Sequence, residues 1–499
     1  MNPSSRCHSA FGLVIGLAAL LAPASLCAVE TAPQSSPTPA ASNPVQSAQP
    51  TSPSGPQPVK TYSLPDFLTI VMSRSPGIQS AILQAKAADY KAKAVRASYL
   101  PKLRAIGQTG YVNGTGLSPL ADLSNNQNQV KGFVDGGGGT LDFPLYEEGT
   151  FLGINTPPKA EVYYAMKSEA DNQALLTRDQ IRLDSITAYF LAVQETRKGR
   201  LLAQEVGILT KQAQIAEIEY NHQIISKDEF DNSRLQLEQA QEDLVQSQWQ
   251  AAHSFVVVAS LLGVNDATSI HLPGDQPIPA SLPPFDVVLT HVLESNPALM
   301  QQIAALKQAN AQHSFELTKM QPTAQIKNSY TWGDDYNPPG HDQWLSRLQV
   351  SIPLFDGGEN YYNVRSATEQ VESQKQLLYQ TKLNLESDLH QAYDAAQNLH
   401  RYYLQNRVTM GQRKIAMEKQ EVLSNYGQAQ ASEYLSSQLD YINSSLAVED
   451  SYYSMMVAFA QLDKAGSYTG SVPIIGGQLS AMGNAPALDT IQPPKSGSD

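Results

Sequence analysis

Two long stretches, from Lys159 to Leu272 and from Leu354 to Val472, contain no proline and little glycine. Apolar residues recur in them at helical spacing, which predicts long helices. In the second stretch Val371, Leu378, Leu385, Ala392 and Leu399 fall seven residues apart, with Leu389, Ala396 and Tyr403 as a companion row. That is a heptad seam, which calls for left-handed packing of helix on helix. Helices over Glu161–Asn221 and Glu359–Tyr426 would each be about 90–100 Å long at about 1.5 Å per residue. Each is expected to reverse at a short polar turn, near residues 223–228 and 427–432. Beyond the first turn Leu237, Ala240, Leu244, Ala251, Phe255, Val258 and Leu262 keep a helical spacing. Leu435, Leu439, Ile442, Leu446, Tyr453, Val457 and Ala460 do so beyond the second. Gly263 and Gly466 are placed to cap these helices at their C-termini.

The pattern occurs twice. Ser75-Pro76-Gly77-Ile78 returns as Asn296-Pro297-Ala298-Leu299, 221 positions on, and Leu100-Pro101 returns as Gln321-Pro322. Phe143-Pro144-Leu145-Tyr146-Glu147-Glu148-Gly149 returns as Ile352-Pro353-Leu354-Phe355-Asp356-Gly357-Gly358, and Ala188-Tyr189 as Ala392-Tyr393. A duplication of this length fixes the architecture before any motif is read. Each copy is helix, extended hairpin, long helix, tight turn and helix. The first copy covers 61–272 with its hairpin at 102–145. After a linker at 273–283, the second covers 284–469 with its hairpin at 323–354. Leu348, Val350 and Ile352 alternate as a half-buried strand does, with a turn expected at 334–340. Gly136 to Gly139 are expected to interrupt the second strand of the first hairpin. One hairpin per copy cannot close a barrel, and lipid tolerates no open edge, so several chains would have to pool their strands.

Outside the duplication the chain is of a different character. Arg6 and His8 precede an apolar run from Phe11 to Leu21 and then Ala22-Pro23-Ala24, which reads as a secretory signal over 1–24 with cleavage as late as 28. Residues 29–60, rich in Pro, Ser, Ala and Gln, read as a disordered leader, and 470–499 as a flexible tail. Cys7 and Cys27 are the two cysteines, so the mature body has no disulfide framework. Cys27 is a candidate for lipid attachment, but Leu26 stands where a small residue is expected. No apolar run approaches the roughly 20 residues of a membrane-spanning helix.

Charge and chemistry exclude more than they suggest. The net charge is −13 with 16% charged residues, and no Lys/Arg cluster offers a nucleic-acid surface. An acidic balance points, if anything, to a preference for cations. The nine histidines show no metal-ligand spacing, and His390 and His400 stand ten apart on one helix. Gly136–Gly139 lacks the following helix and Lys-Ser/Thr pair of a phosphate cradle. No nucleophile elbow accompanies any Ser, His and Asp. The residues point to no catalytic site and no cofactor. Tyr111, Tyr330 and Trp332 are candidates for an aromatic belt at a membrane interface.

In the order and duplication of these motifs the chain resembles the TolC-like outer-membrane efflux protein family, over about Ser63 to Gly466. The resemblance implies a mainly α chain with a small β part: a duplicated coiled-coil tunnel plus four strands, which in a homotrimer give a twelve-stranded barrel. It implies a passive exit duct in the outer membrane of a Gram-negative bacterium, its helices in the periplasm. Its partners would be outer-membrane lipid, a periplasmic adaptor (membrane fusion) protein and an inner-membrane pump of RND, ABC or MFS type. Family members close at their second-repeat tips. Aligned on Gly427, the family's gate positions fall here at Ser424, Ala429, Glu433 and Ser436, of which Glu433 alone keeps the family's residue type, a carboxylate. The family's arginine is replaced by Ala429. Three symmetry-related Glu433 side chains would form an acidic ring favouring cations. The adaptor-contact tips fall at Gln223, Ile224, Ile225, Ser226 and Lys227, with Gln223 where the family has a turn glycine, and at Gly427, Gln428, Ala429, Gln430 and Ala431. A non-conducting periplasmic or surface coiled-coil scaffold is the alternative, and it would have no use for the paired hairpins.

Overall fold

The computed structural model describes residues 60–115, 129–278, 282–333, 343–428 and 430–466. The signal, the leader up to residue 59, Cys27, the turn 334–340, Ala429 and the tail lie outside the described residues. The first half runs β1 (Lys60–Thr61), α1 (Leu64–Arg74), α2 (Pro76–Ala97), β2 (Lys102–Thr115), β3 (Gln129–Glu147), β4 (Thr150–Phe151), α3 (Pro158–Asn221), α4 (Lys227–Leu262) and β5 (Ile270–His271). The second runs α5 (Phe285–Ser295), α6 (Pro297–Thr318), β6 (Thr323–Gly333), β7 (Gln343–Ser351), α7 (Glu359–Asn425) and α8 (Ala431–Ala465). Lys60, assigned to the leader from the sequence, instead pairs in β1 with Ile270 of β5.

Each half opens with two helices where one was expected. Pro76 and Pro297 are the first residues of α2 and α6, where a missing N–H costs nothing. The ring of each proline disfavours helical geometry in the residue before it. Ser75 and Asn296 accordingly sit at ψ 121° and 123°, and the chain breaks there. Asn296 Oδ1 also accepts from the N–H of Ala298 at 2.8 Å, which caps α6.

α3 and α7 contain 64 and 67 residues, so each is roughly 100 Å long at about 1.5 Å per residue. On α7 the companion row of the heptad is the buried one: Leu389, Ala396 and Tyr403 lie in the core, with Leu385, Ala392 and Leu399 packed beside it. The main core also holds Phe67 of α1, Tyr189 and Phe190 of α3, Val258 of α4, Val288 of α5, and Tyr453, Met456 and Phe459 of α8. The repeated Ala-Tyr pair has one task in both copies. Tyr189 Oη donates to the carbonyl of Pro273 at 2.5 Å, and Tyr393 Oη to that of Pro283 at 2.9 Å. The two tyrosines thereby fasten the two ends of the linker between the halves. Between those ends, the N–H of Gln276 donates to Tyr452 Oη at 2.9 Å and Arg197 pairs with Asp275 at 2.6 Å.

Apart from the parallel β1–β5 pair, the strands form one antiparallel sheet in the order β2-β3-β6-β7, with β4 beside the end of β3. The glycine run does not interrupt β3. Trp332 of β6 covers Gly137, where a Cβ would lie 2.9 Å from Trp332 Cζ2. At Gly138 a Cβ would be 2.4 Å from the carbonyl oxygen of Tyr330. The glycines therefore admit a close neighbouring strand and its aromatic cover, which is a pairing role and no turn. Pro144, without an N–H to give the ladder, sits where the register of β3 on β6 shifts, between Pro144 and Tyr146. Gly263 caps α4 in the left-handed region (φ 68°), whereas Gly466 ends α8 at φ −75°, a conformation open to any residue.

Candidate functional site

The two helix reversals have the same backbone and different side-chain support. At the first, the N–H of Ile224 donates to Glu219 O at 2.8 Å; at the second, that of Gln428 donates to Leu423 O at 2.8 Å. Both turns need one left-handed residue, Gln223 (φ 57°) and Gly427 (φ 70°). Glycine takes that conformation freely, while for glutamine it costs roughly 1–2 kcal/mol. Gln223→Gly is expected to stabilise the protein by about 0.5–1 kcal/mol, read as a higher denaturation midpoint of the detergent-solubilised protein. An unchanged or lower midpoint would mean that glutamine is not strained there.

Compensation for Gln223 lies next to it. Ser226 and Glu229 form a reciprocal cap, Glu229 N–H to Ser226 Oγ at 3.2 Å and Ser226 N–H to Glu229 Oε2 at 2.8 Å. The N–H of Ser226, then its hydroxyl, hold the Glu229 carboxyl below its ordinary pKa. The cap is therefore intact above the usual carboxylate range and weakens as pH falls through the lowered value. Tyr220 and Phe230 stack across the same turn, 5.1 Å apart and 8° from parallel. Among the described residues the second turn has neither device. Gln430 stands at the cap of α8 and its side chain accepts from the Ser432 hydroxyl at 3.4 Å but caps no backbone N–H of the helix, and Glu433 N–H reaches the Gln430 carbonyl at 3.1 Å.

Near the second tip, the buried apolar contacts of α8 run to α3. Leu435 and Ile442 are buried against Ile208 of α3, with Ile215 packed beside them. Toward α7 the ties are polar: Arg413 pairs with Asp440 at 3.0 Å, and Asn406 donates to Ala447 O at 3.2 Å. Of the positions singled out from the sequence, Glu433 and Ser436 are exposed, Ser424 is half-buried, and Ala429 lies outside the described residues. Gln223, Ile224, Ser226, Lys227, Gly427, Gln428, Gln430 and Ala431 are exposed and Ile225 is half-buried. Ile224 (70% exposed) and Tyr426 (78%) put apolar side chains at the two tips. Sequence reasoning passed over Tyr426 and the Arg413–Asp440 pair, whose 27-residue separation leaves no local signal.

The sheet offers a second surface. Cross-strand pairs Leu103–Leu141, Phe143–Ile326, Ile326–Leu348, Ala324–Val350 and Tyr330–Trp344 give it one apolar face, broken by Asn328–Ser346. Trp344, Leu348 and Val350 are more than half exposed on that face. The other face is more polar, though it carries Ile106 and Leu345, and there Gln325 donates to Gln349 at 3.4 Å. The side chain of Tyr111 is outside the described set. Among the described residues, no group of His, Cys, Asp or Glu is arranged to hold a metal, and no helix is long and apolar enough to cross a membrane.

Residues 288–465 match the family described as outer membrane efflux protein. Protein CyaE of Bordetella pertussis is 22% identical over 338 residues, 66% of this chain and 68% of that protein. Among solved structures, the VceC outer membrane protein of Vibrio cholerae superposes with a TM-score of 0.65 at 14% identity, covering 81% of this chain and 95% of that one. The CmeC outer membrane channel of Campylobacter jejuni gives 0.64 at 16%, covering 81% and 85%.

Proposed function

We propose that this chain, whose residues 288–465 match the outer membrane efflux protein family, is the exit duct of a tripartite efflux or type I secretion assembly. It stands in the outer membrane with its helices in the periplasm and performs no catalysis. Three copies of the four-stranded sheet close into one barrel, and a periplasmic adaptor couples the helical tips to an inner-membrane pump. The observation that carries this reading is the sheet, which has one apolar face and two edges, β2 and β7, left unpaired among the described residues. An open edge is untenable in lipid, and copies of the same sheet remove it. A second support is the row Val408, Ile415 and Val422 on α7, seven residues apart and each more than half exposed. An apolar heptad row facing outward suits a neighbouring copy.

The duct closes at its second-repeat tips, where Glu433 is the gate candidate and Ser424, Ala429 and Ser436 are its neighbours. The weaker capping of that turn suits an element that moves. The exposed tips, with Ile224 and Tyr426, receive the adaptor. The test is single-channel conductance of the detergent-purified protein in a planar bilayer, with trimer mass measured alongside. Stable trimers with small currents that rise severalfold in Glu433→Ala are the expected result. Unchanged currents in that variant would remove Glu433 from the gate and leave the duct. Soluble protein that neither trimerises nor inserts would return the chain to the scaffold reading.

A further inference from the structure

Register places four charged residues on a single transverse row of the sheet. Lys102 of β2 pairs with Asp142 of β3, Asp142 with Lys327 of β6, and Lys327 with Arg347 of β7. With neighbouring strands about 4.8 Å apart, the row spans about 14 Å. The row lies on the polar face. Lys102, Asp142, Lys327 and Arg347 each stand one residue from Leu103, Leu141, Ile326 and Leu348 of the apolar face, and successive side chains point to opposite faces. Arg104, two residues beyond Lys102, falls on the same face, in the adjacent row with Thr140, Ser329 and the apolar Leu345.

The charge balance of this row runs against that of the chain. The whole protein carries −13, yet the row holds three cations and one carboxylate. Asp142 stands between Lys102 and Lys327 and can offset only one charge, and Arg347 lies two strands, about 9.6 Å, away on the far side of Lys327. In a membrane barrel the apolar face meets lipid and the other lines the lumen. Charged rings lining a pore set its ion preference, and guanidinium and ammonium groups suit carboxylate and phosphate.

We propose that Lys102, Lys327, Arg347 and Arg104 form a cationic belt inside the barrel that favours anionic solutes carrying carboxylate or phosphate groups. This rests on the barrel reading given above and adds to it a selectivity element. Its sign is opposite to that expected from the net charge and from an acidic ring at Glu433. Lys102 is the first residue of β2, so the belt sits at the helical end of the sheet, where solute passes from tunnel to barrel.

The test uses the full-length protein in planar bilayers under a KCl gradient, with inorganic tripolyphosphate added as a probe of anion binding. In Lys327→Gln/Arg347→Gln, the anion-to-cation permeability ratio should fall about three- to tenfold, the range expected for removing two pore charges per chain. Block by tripolyphosphate should weaken alongside, while the charge-preserving Lys327→Arg/Arg347→Lys should behave as the parent. If the double variant fails to assemble, Lys102→Gln, at the very start of its strand, carries the same test with a smaller shift. Equal reversal potentials and equal block in parent and neutralised channels would overturn the belt and leave the duct intact. A parent protein that never conducts would overturn both.

Discussion

Replacing Gly138 by valine is expected to keep the protein from accumulating as an assembled species in the outer membrane. A Cβ at this position would stand 2.4 Å from the Tyr330 carbonyl oxygen, 3.1 Å from Thr331 Cγ2 and 3.2 Å from Thr331 Cα. Two of these neighbours are backbone atoms in the paired strand, so no side-chain rotation relieves the clash. β3 would have to draw away from β6, and β3–β6 is the pairing that joins the hairpins of the two halves. Overpacking typically costs 1–3 kcal/mol where side chains can give way, and about 3 kcal/mol or more is expected here, where they cannot. Gly107 supplies the control. It lies in the same sheet with open space where its Cβ would stand, so Gly107→Ala should assemble like the parent. The measurement is the heat-modifiable band in outer-membrane fractions. Equal bands for Gly138→Val and the parent would show that β3 and β6 are not paired as described.

Phe190→Ala has the other large effect, and it falls on the helical part. Phe190 is fully buried in the main core. Its ring meets Tyr189 edge-on at 5.6 Å and Tyr453 of the second half at 6.0 Å. Truncating a buried phenylalanine removes its transfer free energy and leaves a cavity, together about 3–5 kcal/mol. Neighbours on α3 and α8 cannot collapse into the space without bending long helices. Chemical denaturation of the solubilised protein, followed by helical circular dichroism, should show a markedly lower midpoint. A loss below about 1 kcal/mol would place Phe190 at a site that relaxes freely.

The long helices were legible because their causes are local. Absence of proline, spacing of leucines and the Gly263 terminus each act within a few residues. The repeated prolines were seen as landmarks, but their effect, a break between α1 and α2 and between α5 and α6, follows from the backbone of the preceding residue. The glycine run misled for a related reason. Trp332, which covers Gly137, lies 195 positions away, so the glycines looked like an interruption when read alone. The reversals lie between Asn221 and Lys227 and between Asn425 and Ala431, yet nothing local marks Gln223 as left-handed. The capping box and the Tyr220–Phe230 stack that compensate it appear once the turn is built. The charged row on the sheet was invisible for the most general reason: register across four strands is a long-range property.

The linker, fastened at Pro273 by Tyr189 and at Pro283 by Tyr393, has a mechanical consequence. Both tyrosines lie midway along their helices, α3 and α7, so the two copies share a girdle at half height. From there to either tip is about 50 Å of continuous helix at about 1.5 Å per residue. Each hairpin is thus a stiff lever on a fixed fulcrum. A tilt of about 5° at the girdle carries the end of a helix of that length through roughly 4 Å, about the width of a side chain. In the duct proposed above, an aperture built this way would open with almost no rearrangement where the chain is held.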